Sequence, residues 1–229
     1  MKVFCLIFFV SFIFLWCTDM NNEVTYTPSD NNEQIILPNP KKTWNLTVEE
    51  ALQQRRSIRS FQDSYLTMDE LGQILWAAQG ITDDNYKRTA PSAWATYPLE
   101  IYVAVNNVED IHQWVYYYDN KNHELKRIVK GNVSDELTSA ALGQSFVGDA
   151  AVNFIIAGKY ERTTLRYSDR WKQYVHMEVG HVGQNIYLQC EALDLWTVAI
   201  GAFNDEEVRQ ILDVWKEKTP FYIMPVWKP

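Results

Sequence analysis

The chain has 229 residues, which is enough for one substantial domain with its own hydrophobic core. Its formal net charge of −8 argues against the broad basic face that nucleic-acid binding requires. Only one of its three cysteines, Cys190, lies beyond the N-terminal region, which excludes a framework of internal disulfides. We therefore expect a domain stabilised by its core, with Cys190 as a small buried apolar group.

The N-terminus has the pattern of a targeting segment. Lys2 precedes an apolar run at 3–16 that is short for a membrane span and typical of the hydrophobic region of a signal peptide. We assign residues 1–17 to this signal. Residues 18–45 are rich in Asn, Asp, Thr and Pro, and we expect them to form an extended tether. The folded domain is then 46–229.

Helical and strand patterns follow one another irregularly along this domain. Apolar spacing predicts helices over 47–56, 67–79, 134–145, 170–193 and 205–214. Strands are predicted over 99–105, 151–157, 198–203 and 221–226, with a hairpin formed by 115–118 and 125–129. This order favours the α+β class, with a mixed sheet packed between helices. No glycine-rich loop follows a strand, which argues against a Rossmann or P-loop nucleotide site.

Three arginines cluster just after the first predicted helix. Arg55, Arg56 and Arg59 surround Ser57 in a chain that is otherwise acidic. Guanidinium groups are planar, always charged and well matched to phosphate oxygens, so the cluster indicates a site for an anionic ligand. The alternative is that basic residues simply favour the C-terminus of a helix.

Two other kinds of site are less well supported. A metal site is suggested by His176, Glu178 and His181. However, two positions five residues apart on a helix differ in direction by about 140°, so the two imidazoles face different sides. We predict no metal site. A serine or cysteine hydrolase is also disfavoured, because the sequence has no nucleophile-elbow glycine pair and few histidines to act as a base.

Seven short motifs, in chain order, resemble those of the nitroreductase family. Within it, the sequence is most similar to the SagB-type dehydrogenase branch, whose members are relatives of azoline-forming oxidases. The motifs lie at 55–61, 75–80, 90–93, 97–100, 178–185, 200–203 and 224–226, so the resemblance covers about 46–229.

The resemblance implies an FMN-dependent oxidoreductase with NAD(P)H as co-substrate and a small organic electron acceptor. It also implies a nitroreductase-like mixed sheet sandwiched by helices, in an interface-swapped homodimer with two flavins at the subunit interface. Because the flavin supplies the chemistry, no catalytic side chain is assigned.

The resemblance further assigns cofactor-binding roles by position. The expected contacts to the FMN phosphate and ribityl chain come from Arg55, Ser57 and Arg59, with Arg56 beside them and Lys228 as a second phosphate cation. The flavin ring would be lined by Pro91, Ser92 and Ala93, with the partner subunit as one source of that loop. The backbone N–H groups expected near flavin N5 belong to Gly201 and Ala202.

The chain departs from the family pattern in one consistent way, since tryptophan stands where relatives usually carry glycine. These positions are Trp94, Trp114, Trp171, Trp196 and Trp227, with Trp44 and Trp215 as looser matches and Trp16 next to Cys17. The nine glycines are about 4% of the chain, against a usual value of about 7%. We also expect Trp196 and Trp215 to occupy left-handed positions just past a helix, where glycine is normal.

Our hypothesis is that the source organism reads UGA as glycine. A glycine at position 16 would complete a lipoprotein signal, with a lipid anchor at Cys17 and export to the cell envelope. Tryptophan side chains at 94 and 227 would instead crowd the flavin site.

Two other functions stay open. One is an azoline oxidase of the SagB type acting on a peptide; such relatives use a Lys-Tyr pair ahead of the long helix, where this chain has Arg166 and Tyr167. The signal peptide argues against that role. The other is a degenerate flavin-binding dimer without turnover.

Overall fold

The structure is a computed structural model that describes residues 34–60, 64–164, 170–214 and 216–229. The predicted signal peptide, with Trp16 and Cys17, lies outside the described residues. So do Phe61, the Arg166–Tyr167 pair and Trp215.

Seven helices are present in the described ranges. They are α1 (Val48–Gln54), α2 (Met68–Gln79), α3 (Ser134–Ala140), α4 (Ser145–Gly148), α5 (Glu161–Thr164), α6 (Trp171–Ala192) and α7 (Asp205–Ile211). Helices α1 and α2 both begin with a capping box, in which Thr47 pairs with Glu50 and Thr67 with Glu70. These caps explain why both helices begin within a residue of the predicted position.

The strands form one seven-stranded sheet. They are β1 (Gln34–Ile36), β2 (Leu99–Val105), β3 (Val115–Asp119), β4 (Glu124–Val129), β5 (Val152–Gly158), β6 (Trp196–Thr197) and β7 (Thr219–Trp227), in the order β1-β4-β3-β2-β5-β7-β6. Strands β2 and β5 are buried along their whole length, which agrees with the central position predicted for 151–157.

Every ladder between described strands is antiparallel, whereas the sequence predicted a mixed sheet. The reason lies in the return of the chain from β4, since α3 and α4 bring it back to the end where β2 finished. There Val152 pairs with Val105 and the strand β5 runs in the opposite direction. The parallel contact found in the described chain is an isolated bridge between Leu66 and Val108.

Helices cover both faces of the sheet, as predicted. On one face α2 and α6 pack in a core that includes Leu75, Val182 and Phe154. On the other face α3, α4 and α7 pack in a second core that includes Leu137 and Val208. The α+β sandwich of a sheet between helices is therefore confirmed.

The expected tether at 18–45 is wrong for its last part, 34–45. Strand β1 pairs with β4, and the next residue, Leu37, is buried and donates its N–H to His123 O at 3.1 Å. Lys41 N donates to Gln73 Oε1 at 2.8 Å. The apolar side chains of Ile35 and Leu37 contact the core, so burial outweighs the polar composition of the segment.

Helices α1 and α7 end two and three residues before their predicted limits, and two other predicted elements are interrupted or much reduced. The helix predicted at 134–145 is interrupted where Leu142 and Gly143 adopt left-handed φ values of 59° and 75°. The strand predicted at 198–203 is reduced to a bridge between Ile200 and Ile223, preceded by the two residues of β6. None of the helices in the described ranges is long and apolar enough to cross a bilayer.

Candidate functional site

The arginine segment at 55–60 runs beside the edge of the sheet. Ile58 N donates to Thr197 O of β6 at 3.1 Å, and Ser60 O accepts the indole N–H of Trp227 at 2.8 Å. These two bonds fix the backbone while its polar side chains stay accessible: Ser57 and Arg59 are exposed, and Arg55 is half-buried. An accessible guanidinium pair on a fixed backbone is suited to binding an anion.

Tyr187 of α6 connects this segment to a second one. Its hydroxyl oxygen accepts the N–H of Ala199 at 2.7 Å and lies 2.8 Å from Ser57 Oγ. Because the backbone N–H must be the donor in the first bond, the phenolic proton is available for Ser57. The Arg55 guanidinium lies 5.0 Å from the centre of the Tyr187 ring. Residues 55–57 are therefore held next to the start of the 199–202 segment.

Arg56 plays a different part from its neighbours. Its Nη1 donates to the carbonyl oxygens of Gln53 and Arg55, at 2.9 Å and 2.7 Å, at the C-terminus of α1. The last carbonyls of a helix lack partners within the helix, and Arg56 satisfies them. The simple interpretation of a basic residue at a helix end therefore holds for Arg56, while Arg55 and Arg59 are not used in this way.

The structure does not place the Lys228 ammonium among the arginines. Its Nζ lies 3.2 Å from Glu70 Oε2 at the start of α2, and 4.8 Å from the centre of the Tyr65 ring. The backbone is nonetheless close to the segment, because Trp227 bonds Ser60 and Lys228 N donates to Ser64 Oγ at 3.0 Å. The side chain would have to leave Glu70 to bind a phosphate.

Gly201 and Ala202 are both exposed. No hydrogen bond between described residues uses their N–H groups, so both donors are available. A Cβ built on Gly201 would meet one side of the Tyr222 ring at 3.6 Å, while a Cβ on Gly183 would meet the other side at 3.5 Å. These two glycines seat the Tyr222 ring. The close packing of Gly183 is thus within one subunit.

The loop at 91–97 contacts α6 nearer to its start. His181 Nδ1 lies 3.3 Å from Pro91 O, and Ser92 Oγ accepts the N–H of Tyr97 at 2.9 Å. Three non-glycine residues of the loop have left-handed φ values, namely Trp94 (52°), Ala95 (53°) and Tyr97 (43°). Trp94 is also 74% exposed. The loop is therefore strained and presents a large apolar side chain to solvent.

The two predicted parts of the site are separated along α6. His181 contacts the loop and Tyr187 contacts the arginine segment, six residues or about 9 Å further along the helix. One chain thus joins Arg55 and Ser57 to 199–202, while Pro91, Ser92 and Ala93 lie at a distance from the arginines.

Glu178 was not assigned a cofactor role from the sequence. It is 2% exposed, and burial raises the pKa of its carboxyl to about 7, although Ser92, Arg88 and Gln79 act to lower it. The sequence did indicate that Glu178 is unusual, since it lies on the same helix face as the core residues Val175, Val179 and Val182. A carboxylate on the apolar face of a helix usually has a specific task.

Several side chains considered in the sequence are accounted for by local packing. His176 Nε2 lies 2.7 Å from Tyr160 OH, whereas His181 faces Pro91, so the two imidazoles do diverge. No group of three His, Cys, Asp or Glu side chains in the described ranges could hold a metal. Cys190 is buried, and burial raises the pKa of its thiol.

The tryptophans occupy different environments. Among the tryptophans in the described ranges, Trp94 alone has a left-handed φ. Trp196 belongs to β6, and the left-handed residue after α6 is Asp194, with a φ of 56°. The expectation for Trp196 was therefore wrong, because the left-handed position after α6 falls two residues before Trp196. Trp227 is fully buried rather than directed toward the exposed surface of the site.

A groove of about 360 Å³ lies along α6 on the side of α1 and α2. Its walls are mostly apolar and include Trp44, Val48, Trp76 and Leu188. None of the predicted cofactor residues lines it. Gly180, also on α6, is exposed, and a Cβ there would meet nothing within 4 Å. Part of the α6 surface is therefore open to an external partner.

The donors present fit FMN. Arg55, Ser57 and Arg59 offer charged and neutral donors for a phosphate, and the exposed N–H groups of Gly201 and Ala202 suit the edge of a heteroaromatic ring. All of these donors belong to one chain and lie near residues 57 and 200. Arg56 and Lys228 contribute only if they leave their present partners.

Comparison with known proteins assigns the class. The model of the Nitroreductase family matches residues 52–226, and the chain belongs to the nitroreductase family. It is thus an oxidoreductase of that family. A predicted nitroreductase of Methanocaldococcus jannaschii is 49% identical over 193 residues, which cover 84% of this chain and 95% of that protein.

Solved structures show the same fold. A predicted nitroreductase from Anabaena variabilis superposes with a TM-score of 0.75 at 28% identity, covering 86% of this chain and 41% of that longer one. A chain of the E. coli microcin synthetase McbBCD complex with truncated pro-MccB17 gives 0.68 at 19% identity, covering 95% of this chain and 84% of that one. NADPH:FMN oxidoreductase from Vibrio harveyi complexed with NAD+ superposes with a TM-score of 0.57 at 18% identity. The match covers 79% of this chain and 68% of that one.

Proposed function

We propose that this chain is an FMN-dependent oxidoreductase that takes electrons from NAD(P)H and passes them to a small organic acceptor. The observation that carries the proposal is the Ser57–Tyr187–Ala199 contact, which holds an accessible arginine segment beside the chain that leads to Gly201 and Ala202. The N–H groups of these two residues are not used in hydrogen bonds among the described residues. The name of the Vibrio harveyi structure, an NADPH:FMN oxidoreductase of the same fold, supports this choice of cofactor and donor.

FMN, when bound, supplies hydride transfer in both directions. The residues of this chain supply binding and orientation. Arg55 and Arg59 would neutralise the phosphate, Ser57 would bind the ribityl chain or a phosphate oxygen, and the N–H groups of Gly201 and Ala202 would donate to the ring edge. The loop with Pro91, Ser92 and Ala93 would cover the ring and limit the access of water.

The test begins with the absorbance spectrum of the purified protein. We expect a yellow protein, or one that becomes yellow with added FMN, whose flavin is bleached by NADH or NADPH under nitrogen. A protein that binds flavin and is not bleached would support the degenerate binding dimer instead. A colourless protein that refuses FMN would contradict the proposal.

A homodimer is part of the same proposal. The open α6 surface at Gly180 continues past Met177, which is 52% exposed, and the apolar groove lies against the same helix. Exposed apolar residues Val48 and Leu52 of α1 border that side. Exposed apolar side chains grouped on one side of a protein mark a candidate interaction surface, here a subunit interface.

The test of the dimer compares two helical glycines by sedimentation velocity. Gly180→Ala adds a methyl group to the open surface and should weaken the dimer while leaving a folded monomer. Gly72→Ala is the matched control, because a Cβ there meets Leu37 and Pro38 of the same chain at 3.5 Å. A wild-type protein that is monomeric at high concentration would contradict this part of the proposal.

A SagB-type role in peptide maturation is the second candidate. It is supported by the shared fold with a chain of the microcin synthetase complex, over 95% of this chain. Under that role the purified protein would oxidise an azoline-containing peptide with bound FMN and would be reduced poorly by NAD(P)H. Product mass, two units lower per oxidised ring, distinguishes the two roles.

We propose export with lipid attachment at Cys17 as the cellular setting. The support is the signal-like sequence of residues 1–17. Metabolic labelling with a palmitate analogue should label the wild-type protein and not Cys17→Ser. Sequencing the gene codons decides the UGA hypothesis, since UGG at positions 94, 196 and 227 would contradict it.

A further inference from the structure

Glu178 is a buried carboxyl that the proposed function does not use. Its Oε1 has no hydrogen-bond partner among the described residues, although the side chain is almost fully buried. An unpaired buried oxygen is costly, and a native protein rarely keeps one without a reason. The carboxyl lies beneath the loop at 91–97, which the family resemblance places against the flavin ring.

Ser92 is the loop residue that acts on this carboxyl. Ser92 Oγ accepts the N–H of Tyr97, so the hydroxyl proton of Ser92 is left for another acceptor. Ser92 acts on the pKa of Glu178 in the direction of a donor to the carboxylate. The same turn of α6 carries His181, which bonds Pro91 O. The loop is therefore attached to α6 at Pro91, the residue next to Ser92.

A second line of contacts arrives from α2. Arg88 Nη1 donates to Gln79 Oε1 at 2.7 Å, which turns the amide nitrogen of Gln79 away from the guanidinium. That nitrogen has no hydrogen-bond partner in the part of the chain that the structure describes, and Gln79 also acts to lower the pKa of Glu178. The Arg88 guanidinium is stacked on Tyr97 at 4.3 Å, so both ends of the loop meet the same polar cluster.

We propose that Glu178 is the positioning residue of the flavin-facing loop: its carboxylate accepts the Ser92 hydroxyl and holds Pro91 to Ala93 in place, and its protonated form releases them. The inference rests on the proposed function only for the ligand that the loop meets. It assigns Glu178 no contact with the reacting atoms.

The surroundings of the carboxyl determine whether the loop is held more firmly at high or at low pH. Burial raises its pKa to about 7, so both forms are present near neutral pH. The charge that acts on it is Arg88, which in turn is surrounded by Tyr97, Tyr117 and Arg162. A hydroxyl bonds a carboxylate more strongly than a neutral acid, so the loop is held more firmly above pH 7 than below it. The strained backbone at 94–97 then relaxes on the acid side.

The experiment reads the loop directly in the cofactor-free protein. In 5-fluorotryptophan-labelled protein, the ¹⁹F resonance of Trp94, assigned with Trp94→Phe, should shift with a midpoint near pH 7. Glu178→Gln should abolish this shift, because its amide accepts the Ser92 hydroxyl without titrating. Ser92→Ala should also remove most of this shift, since the hydroxyl that links the carboxylate to the loop is then absent. The buried, hydrogen-bonded Trp227 is the internal control, and Glu136→Gln, an exposed carboxyl on α3, should behave as wild type.

The FMN affinity gives a second readout. Between pH 6 and 8 the affinity should rise about tenfold more in the wild-type protein than in Glu178→Gln. Because the FMN phosphate titrates equally with both proteins, comparing them removes its contribution. A Trp94 resonance that does not titrate, or that titrates equally in Glu178→Gln, would overturn the inference. Failure of every variant to bind FMN would reject the proposed function, while the Trp94 titration would still decide the role of Glu178.

Discussion

The phenol of Tyr187 joins the Ser57 hydroxyl to the backbone N–H of Ala199, at 2.8 Å and 2.7 Å. Tyr187→Phe keeps the ring under Arg55 and removes only the oxygen. The N–H of Ala199 is then left without its acceptor, which should lower the free energy of unfolding by about 1–2 kcal/mol. FMN affinity should fall as well, because Ser57 is no longer oriented. Urea denaturation and flavin titration measure the two effects, with Tyr86→Phe, an exposed tyrosine, as the control.

The three arginines should separate into two groups. Arg55→Ala and Arg59→Ala each remove an accessible cation, and each should weaken FMN binding by about 1.5–3 kcal/mol with little change in stability. Arg56→Ala should instead lower the stability of the protein with little change in FMN binding, because the Arg56 guanidinium satisfies the carbonyls at the end of α1. Arg127→Ala on the distant strand β4 is the matched control. Equal loss of FMN affinity in all three variants would show that Arg56 leaves its helix to bind the cofactor.

Stability should fall as pH rises through the range in which Glu178 titrates. The folded-state pKa, about 7, is above the ordinary value of 4.5, so the folded protein binds a proton that the unfolded chain has already lost. Between these two values the free energy of unfolding decreases, by at most about 1.4 kcal/mol per pH unit from this group. Glu178→Gln should remove that slope and be about 2 kcal/mol more stable than wild type at pH 8. Denaturation at several pH values, with Glu136→Gln alongside, provides the measurement.

Trp94 and Trp196 should respond oppositely to glycine. Trp94 is exposed and left-handed, and glycine adopts that conformation without steric cost, so Trp94→Gly should stabilise the protein by about 1 kcal/mol. Trp196 is half-buried in a strand paired with Trp227, so Trp196→Gly should destabilise it by about 2 kcal/mol or more. Thermal unfolding of both variants makes the comparison. Stabilisation at both positions would favour the UGA hypothesis across the whole set.

Much of the fold was predictable because the core strands and helices have strong periodic patterns. Strand β2 has the predicted bounds, and α6 differs from its prediction by one residue at each end. The errors have local causes. Leu142 adopts a left-handed conformation that its residue type does not announce, and the pairing that makes 34–36 a strand comes from β4, far along the chain.

The candidate site was only partly readable from the sequence. The arginine motif indicated an anion, but the division of labour between Arg55 and Arg56 depends on which guanidinium reaches the end of α1. The pairing of Lys228 with Glu70 joins residues from opposite ends of the domain, and nothing local predicts it. Glu178 was visible as a charged residue in an apolar stripe, while its cluster with Gln79, Arg88 and Ser92 required the tertiary structure.

The indole of Trp227 donates to the carbonyl of Ser60, a residue 167 positions earlier in the chain. During synthesis on the ribosome, the arginine segment is made early, yet its support from β7 exists only once the last residues have emerged. If the chain binds a flavin as proposed, this support for the arginine segment is missing until β7 has been made, so loading of the cofactor should follow the synthesis of β7.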